Sequence, residues 1–436
     1  MSEQGYDAVV IGAGVIGNAV TCELARRGWR VVGVDRNPGA GQGSTSSSSA
    51  IVRFTYSTRA GVAMSYEGLQ YWLNWPAHIG NCDEAGYSTF TKCGMLTLIS
   101  GDGPHLLPVP HFDALGVPYE VWDRDEAAAR LGHFDLSQFG PPRQIADPDF
   151  WAEPTSQLDG ALWTPEAGYV GDPQLAAHNL RLAAEAAGAE FRFGETVVGI
   201  AGSGRAEGVV LADGDVLAAP VVVNVAGPHS SAINELAGVL DDMTVSTRPQ
   251  RKEVYHVPSP AGVDFERVGA AMADDDCGCY VRPEVGNNIL IGSLELDMTD
   301  LEWLTADEVD DCSQDLTREQ WETHVLRFAR RMPDLGLPHQ PRGVVGVYDV
   351  TDDWIPIYDR TSLDGFYVAI GTSGNQFKNA AVAGHCMAEL IGAVEAGHDH
   401  DADPVVVTGK HTGFDIDMGT FSRNRDLHGS SMSVLG

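Results

Sequence analysis

The sequence predicts an α/β fold, α+β overall. In it a doubly wound nucleotide-binding sheet is visited three times by the chain, and a mainly antiparallel β-sheet domain is inserted between the visits. Three observations predict this. Residues 6–36 read as strand, glycine turn, helix, strand, and the pattern returns at 168–230 and again at 354–397. The length, 436 residues, exceeds the size at which a single core usually stops growing.

The first visit is "YDAVVIGAGVIGNAVTCELARRGWRVVGVDR". Residues 7–11 form a continuous apolar run, as a strand buried on both faces requires. From Val15 to Arg27 the residues Ile16, Val20 and Leu24 recur at helical spacing, with Gly28 as the cap. Residues 29–34 return to a β-branched run that ends at Asp35. Gly12, Gly14 and Gly17 spell GxGxxG between strand and helix, with an acid 23 residues after the first glycine. In that setting the motif is a Rossmann-type dinucleotide site. Gly12 permits the tight turn, Gly14 lets backbone approach a pyrophosphate, and Gly17 lets helix and strand pack closely. Contacts then run through Ala13, Val15 and Ile16 to the helix N-terminus, where unpaired N–H groups favour negative charge. Asp35, followed by Arg36, would take the ribose.

In the second visit Asp172 is an N-cap and Pro173 opens an Ala-rich helix closed by Gly188. A DG turn then separates two strand-like runs, and a last buried strand leads into "AGPHS". The third visit places a strand at 366–370, a glycine-rich turn and a helix starting near Asn379. The nucleotide domain therefore spans 1–88, 152–244 and 349–436, and the inserted substrate domain spans 89–151 and 245–348.

Composition narrows the partners. A net charge of -33, from 61 acidic and 28 basic residues, argues against a nucleic-acid groove or an anionic-membrane patch. Only Lys92, Lys252, Lys378 and Lys410 are lysine, so the acidic surface reads as adapted to salt. The unfolding midpoint is expected to rise with added salt as repulsion is screened, and a flat response would remove that reading. Seven cysteines without CxxC pairs exclude a disulfide framework or structural zinc, and the CGC at 277–279 reads as buried thiols. The start lacks a basic n-region and no apolar run is long enough to span a membrane, so a cytoplasmic location is expected. "HDHDAD", with His398 and His400, reads as a solvated acidic loop, and no metal is expected.

"DAVVIGAGVIGNAV", "VVNVAGPHS" and "GTSGNQFKNAAVAG", in that order, resemble the FAD-dependent D-amino acid oxidase (DAO) superfamily, nearest its sarcosine oxidase and dimethylglycine dehydrogenase branch. The resemblance implies FAD as cofactor. It turns the "GSTSSSSAIVRF" stretch at 43–54 from a linker into a cradle in which Gly43, Ser44, Thr45 and Ser46 wrap the flavin, followed by Ile51. It adds Val197, Ala226 and Gly227 from the second visit. From the C-terminal motif it adds Gly371, Ser373, Gly374, Asn375, Gln376, Phe377 and Lys378. Positions that carry covalent flavin in relatives are Ser47 and Gly346 here, so FAD is expected to be non-covalent.

For the substrate, the resemblance implies Arg53 and Lys378 as carboxylate anchors, with Tyr280 and Tyr348 lining the pocket; His256 reads as an ordinary strand histidine. Arginine can bind a carboxylate bidentately while lysine acts as a point charge. The activity implied is oxidation of the C–N bond of a secondary or N-methylated amino acid by hydride transfer to flavin N5. The alternatives are a D-amino acid or other amine oxidoreductase, and a flavin-bearing subunit of a hetero-oligomeric complex. Leu290 stands where monomeric oxidases carry an oxygen-activating lysine, which favours a dehydrogenase and a separate electron acceptor over oxygen; Lys252 or Arg251 are the nearby cations.

Overall fold

The computed structural model describes residues 5–101, 103–294, 302–427 and 429. Two large sheets carry the fold, one of six strands and one of eight. In chain order their strands are β1 (Ala8–Ile11), β2 (Val31–Asp35), β3 (Met95–Ile99), β4 (Glu120–Asp123), β5 (Gly160–Thr164), β6 (Glu190–Phe193) and β7 (Val221–Asn224). They continue with β8 (Thr247–Pro258), β9 (Ala271–Asp274), β10 (Cys279–Glu284), β11 (Asn288–Ser293), β12 (Gly343–Thr351), β13 (Ile357–Arg360) and β14 (Phe366–Ile370).

The six-stranded sheet has the order β13-β14-β7-β1-β2-β6. All pairings are parallel except β13 with β14. The chain runs outward from β1 through β2 to one side and later returns to β7 on the other, so the edge between β1 and β7 is a topological switch point, where such sheets bind ligands. β1 is buried along its whole length, which its AVVI composition demands. On one face, α1 (Val15–Arg26) packs between α3 (Pro173–Ala186) and α6 (Ala380–Glu395). Asp172 caps α3 by accepting from Leu175 N, as its sequence predicts.

The eight-stranded sheet has the order β12-β8-β11-β10-β9-β3-β5-β4 and is antiparallel except where β9 meets β3. Period-two alternation separates its faces. Tyr255, Val257, Cys279, Val281, Ile289 and Ile291 join a core beneath α5 (Arg318–Arg331), whereas Val254, Tyr280 and Leu290 join the core shared with α2 (Arg59–Leu73) and α6. The second face is therefore the one turned towards the nucleotide domain.

Two boundaries differ from those expected. β5, inside the 152–244 segment, lies between β3 and β4 in the eight-stranded sheet, and β12 carries that sheet on to Thr351, past residue 348. "GALWT" is an apolar run that would suit either sheet, so composition alone did not separate them. Glu295, which ends the stretch "NNILIGSLE" around Leu290, lies outside the described residues.

Candidate active site

The glycine turn between β1 and α1 is as tight as its motif requires. Gly12 has φ +108°, and a Cβ there would lie 2.3 Å from the Val225 carbonyl oxygen, on the turn that carries Ala226 and Gly227. At Gly17 an added Cβ would lie 1.9 Å from the Gly12 carbonyl oxygen. The N-cap of α1 is Gly14, which has no side chain to cap the helix and so leaves the first-turn N–H groups beyond Val15 for a ligand. Thr45 Oγ1 accepts from Val15 N at 3.0 Å, so the serine loop is bonded to the glycine turn. On its other side that loop is tied to β12: Ser44 Oγ donates to the Val347 carbonyl (2.5 Å) and Ser47 Oγ to the Val345 carbonyl (2.9 Å). Ser46 Oγ donates to Gly43 O (2.9 Å) and closes the loop on itself. A turn with no room for side chains, an open helix N-terminus and a hydroxyl loop bonded to both fit the pyrophosphate of a dinucleotide such as FAD.

Asp35 stands at the end of β2 beside this turn, and its carboxylate accepts from Ala13 N (2.7 Å) and Asn37 N (2.8 Å). It thus shapes the turn as well as offering lone pairs to a ribose. Arg36 is paired with Asp310, which also meets His229 Nε2 at 3.1 Å. Val197 belongs to the apolar cluster with Ile11 and Val34, beneath the cradle.

Ser47 and Gly346, the two positions considered for covalent attachment, face one another, and a Cβ at Gly346 would lie 2.9 Å from Ser47 Cβ. Neither carries a group that could bond to a flavin. Acid precipitation of the holoprotein is expected to leave the flavin in the supernatant; a yellow pellet would contradict this.

A single cavity brings together stretches that are far apart in sequence. Arg53, Tyr280, Tyr348 and Lys378 all line it, with Ser48 to Ile51 and Met95 from one side and Gly374, Asn375 and Phe377 from the other. Tyr280 shares a hydrogen bond with Ser49 (2.8 Å between hydroxyls), and its phenol and that of Tyr348 influence one another's titration. Burial raises both phenols, so they remain protonated. Tyr348 lies against Gly374, where a Cβ would fall 2.3 Å from its ring.

Arg53 and Lys378 are 5% and 3% exposed, low values for charged side chains. Arg53 Nη1 donates to Thr55 O at 2.8 Å and Lys378 Nζ to Asn375 O at 2.5 Å. Burial, and then the Arg53 charge, push Lys378 well below the usual lysine range. An anion bound between them would offset both effects, because an opposite charge nearby favours the charged form of each group.

Not every residue of the C-terminal motif faces the cavity. Ser373 Oγ accepts from Thr351 N (3.2 Å), and Gln376 is bonded to Asn379 (2.8 Å) and Tyr358 (3.2 Å). Gly371 N donates to the buried Asp349 carboxylate at 2.6 Å. Asp349, raised to about 7 by burial, thereby pins the glycine-rich turn to β12. It escaped the sequence reading because a lone aspartate in "GVYDVTDD" carries no spacing signal. Tyr56, in contact with both cations, also escaped it: "RFTYS" follows a two-residue strand, too short for a period to mark the ring.

Of the other candidates, Arg251 turns away to Glu253 and Glu302, while Lys252 Nζ lies over the rings of Tyr348 (5.5 Å) and Trp354 (6.0 Å). Leu290 is buried on the face that carries Tyr280. His256 is partly buried within β8. His398 bonds to Asp403 O (2.7 Å), and His400 accepts from Val405 N (3.0 Å) and lies beside Asp359. Cys277 and Cys279 are buried. Asp274, Asp276 and Cys277 are close enough to hold an ion, but Arg331 already pairs with both carboxylates, at 2.8 and 2.9 Å.

Residues 7–390 match the family described as FAD dependent oxidoreductase (DAO). The chain is 24% identical over 402 residues to glycine oxidase of Geobacillus kaustophilus, covering 90% of this chain and 95% of that protein. It is 31% identical over 232 residues, 51% of its own length, to the tRNA 5-methylaminomethyl-2-thiouridine biosynthesis bifunctional protein MnmC of Cupriavidus necator, and spans 31% of that relative. Among solved structures, L-proline dehydrogenase from P. horikoshii has a TM-score of 0.71 at 21% identity, covering 91% of this chain and 94% of its own. The Geobacillus kaustophilus glycine oxidase structure also gives 0.71, at 20% identity, covering 97% and 99%.

Proposed function

The chain belongs to the FAD dependent oxidoreductase (DAO) family, and on that basis we propose that it oxidises the C–N bond of a carboxylate-bearing secondary or N-methylated amino acid, sarcosine- or dimethylglycine-like. The product is an imine that water hydrolyses. The observation that carries this reading is the convergence of two buried cations, Arg53 and Lys378, on one cavity with Tyr280 and Tyr348.

FAD, when bound, supplies the hydride acceptor. The chain itself binds and orients. Arg53 and Lys378 hold the carboxylate, and the two tyrosines wall the cavity and hold the C–H close to the point of transfer. The same cations lower the pKa of a neighbouring substrate amine, since like charge disfavours its protonated form. The free lone pair then forms the C=N bond as hydride leaves, without a dedicated base. The N-terminus of α6, behind Lys378, adds positive potential on that side.

The glycine oxidase relative, matched over 95% of its length, favours a second reading, a primary amino acid, because both anchors serve any α-carboxylate. Anaerobic addition of sarcosine, dimethylglycine, proline, glycine and D- or L-amino acids to the holoprotein separates the two. Bleaching of the flavin bands by N-alkyl amino acids is expected. Bleaching by primary amino acids alone would favour the second reading, and bleaching by dithionite alone would overturn both.

We further propose a dehydrogenase, its electrons passing to a separate carrier, because Leu290 is apolar on the cavity side of β11. Lys252 is the cation to test there. Slow reoxidation of the reduced protein by dissolved oxygen is expected; fast reoxidation that is lost in Lys252→Met would assign an oxidase instead.

A further inference from the structure

Tyr56 is in contact with both anchors: it lies three residues after Arg53 on the same segment and reaches across to the turn that carries Lys378. The Arg53 guanidinium carbon lies 4.7 Å from the centroid of its ring and the Lys378 ammonium 4.9 Å. Its hydroxyl donates to the Asn375 carbonyl at 2.8 Å, and the same carbonyl accepts from Lys378 Nζ. Gln376 Nε2 reaches the phenol oxygen at 3.5 Å. The ring is 6% exposed, and burial pushes the phenol up to about 12, so the hydroxyl remains a donor.

Two cations held close together and away from water repel one another, and each carries a desolvation cost. An aromatic face attracts a cation through its quadrupole, and more strongly where water is excluded. One ring shared by both groups can therefore hold them near each other before any anion arrives. The phenol bond to Asn375 O fixes the ring against the turn that carries Lys378, so the ring also sets the distance between a cation of the serine-loop segment and a cation of the C-terminal motif.

We propose that Tyr56 is a positioning residue that presets the spacing of Arg53 and Lys378 for a single carboxylate, acting through its ring face rather than its hydroxyl. This rests on the carboxylate reading given above. It makes the geometry of the anion site a property of the empty protein, so binding does not have to assemble the site from two separate loops.

The test uses FAD-loaded protein and acetate as probe, read as the perturbation of the flavin absorption bands, with unfolding midpoint and flavin content measured alongside. Tyr56→Phe keeps the ring and is expected to bind acetate within about threefold of the parent protein, whereas Tyr56→Leu is expected to weaken it more than about tenfold with flavin content unchanged. Equal affinity in the leucine variant and the parent would overturn the proposal. If the leucine protein does not accumulate, the phenylalanine variant decides: affinity within threefold supports the ring face, and a tenfold loss shows that the hydroxyl sets the site. Absence of any acetate response in the parent protein counts against the carboxylate reading itself and takes this inference with it. A response in the parent that Tyr56→Leu leaves intact counts against Tyr56 alone.

Discussion

Replacing Lys378 by methionine is expected to weaken carboxylate substrates by about 10- to 100-fold, because a hydrogen bond to a charged group contributes about 1.5–3 kcal/mol and about 1.4 kcal/mol corresponds to tenfold. The loss belongs in binding of the carboxylate, with flavin content preserved. Nζ reaches into the cavity from a 3-10 turn, and what anchors that turn is backbone and Phe377. Trp72 Nε1 donates to the Lys378 carbonyl at 2.8 Å and its ring stacks on Phe377 at 5.5 Å. Methionine keeps these contacts and most of the apolar stem. It also removes a desolvated charge, so the variant should be at least as stable as the parent. Flavin reduction titrated against substrate concentration measures the effect. An unchanged half-saturation for every carboxylate substrate would exclude Lys378 as an anchor.

Replacing Gly17 by alanine should abolish measurable FAD binding. The new methyl carbon would sit 1.9 Å from the Gly12 carbonyl oxygen, a backbone atom that cannot turn aside. Relief requires the glycine turn and α1 to separate. That breaks the Gly12 N bond to Val34 O (2.8 Å), which sets the turn on β2, and moves the first-turn N–H groups away from the phosphate site. Overpacking of this kind typically costs about 1–3 kcal/mol in stability, and the flavin contacts are lost on top of that. Dialysis against FAD followed by absorbance at the flavin bands checks it. A yellow Gly17→Ala protein would mean that the phosphates are held elsewhere.

The parts of this molecule legible in the sequence are those with a local rule. β1, the glycine turn, α1 and β2 follow from one apolar run, one motif and one helical period, and β14 lies at Phe366–Ile370, the strand expected at 366–370. Arg53, Lys378, Tyr280 and Tyr348 came from resemblance, and the cavity gathers all four. What stayed hidden depends on contacts between distant segments. Tyr56 acts through Asn375, 319 residues away, and Asp349 through Gly371, 22 residues on, and both sit in stretches with no period. β5 pairs with β3 and β4, a choice its sequence does not announce, because an apolar pentapeptide does not say which sheet it will join. Arg36, expected at the cofactor, also pairs with Asp310, an acid that the inserted segment supplies and that no local pattern announces.

Because β12 binds the serine loop through Val345 and Val347 and the C-terminal turn through Asp349, the cradle cannot be completed in the order in which the chain is made. A ribosome has already released the glycine turn, the serine loop and the first half of the inserted domain before β12 exists, and the turn at 371–374 emerges later still. Pairing across such separations is slow and leaves strand edges waiting. During that interval α1 offers its charged end to a phosphate, but nothing yet closes over a flavin ring. Cofactor capture is therefore a late event in the life of each molecule, and nascent chains stalled before residue 371 should be colourless.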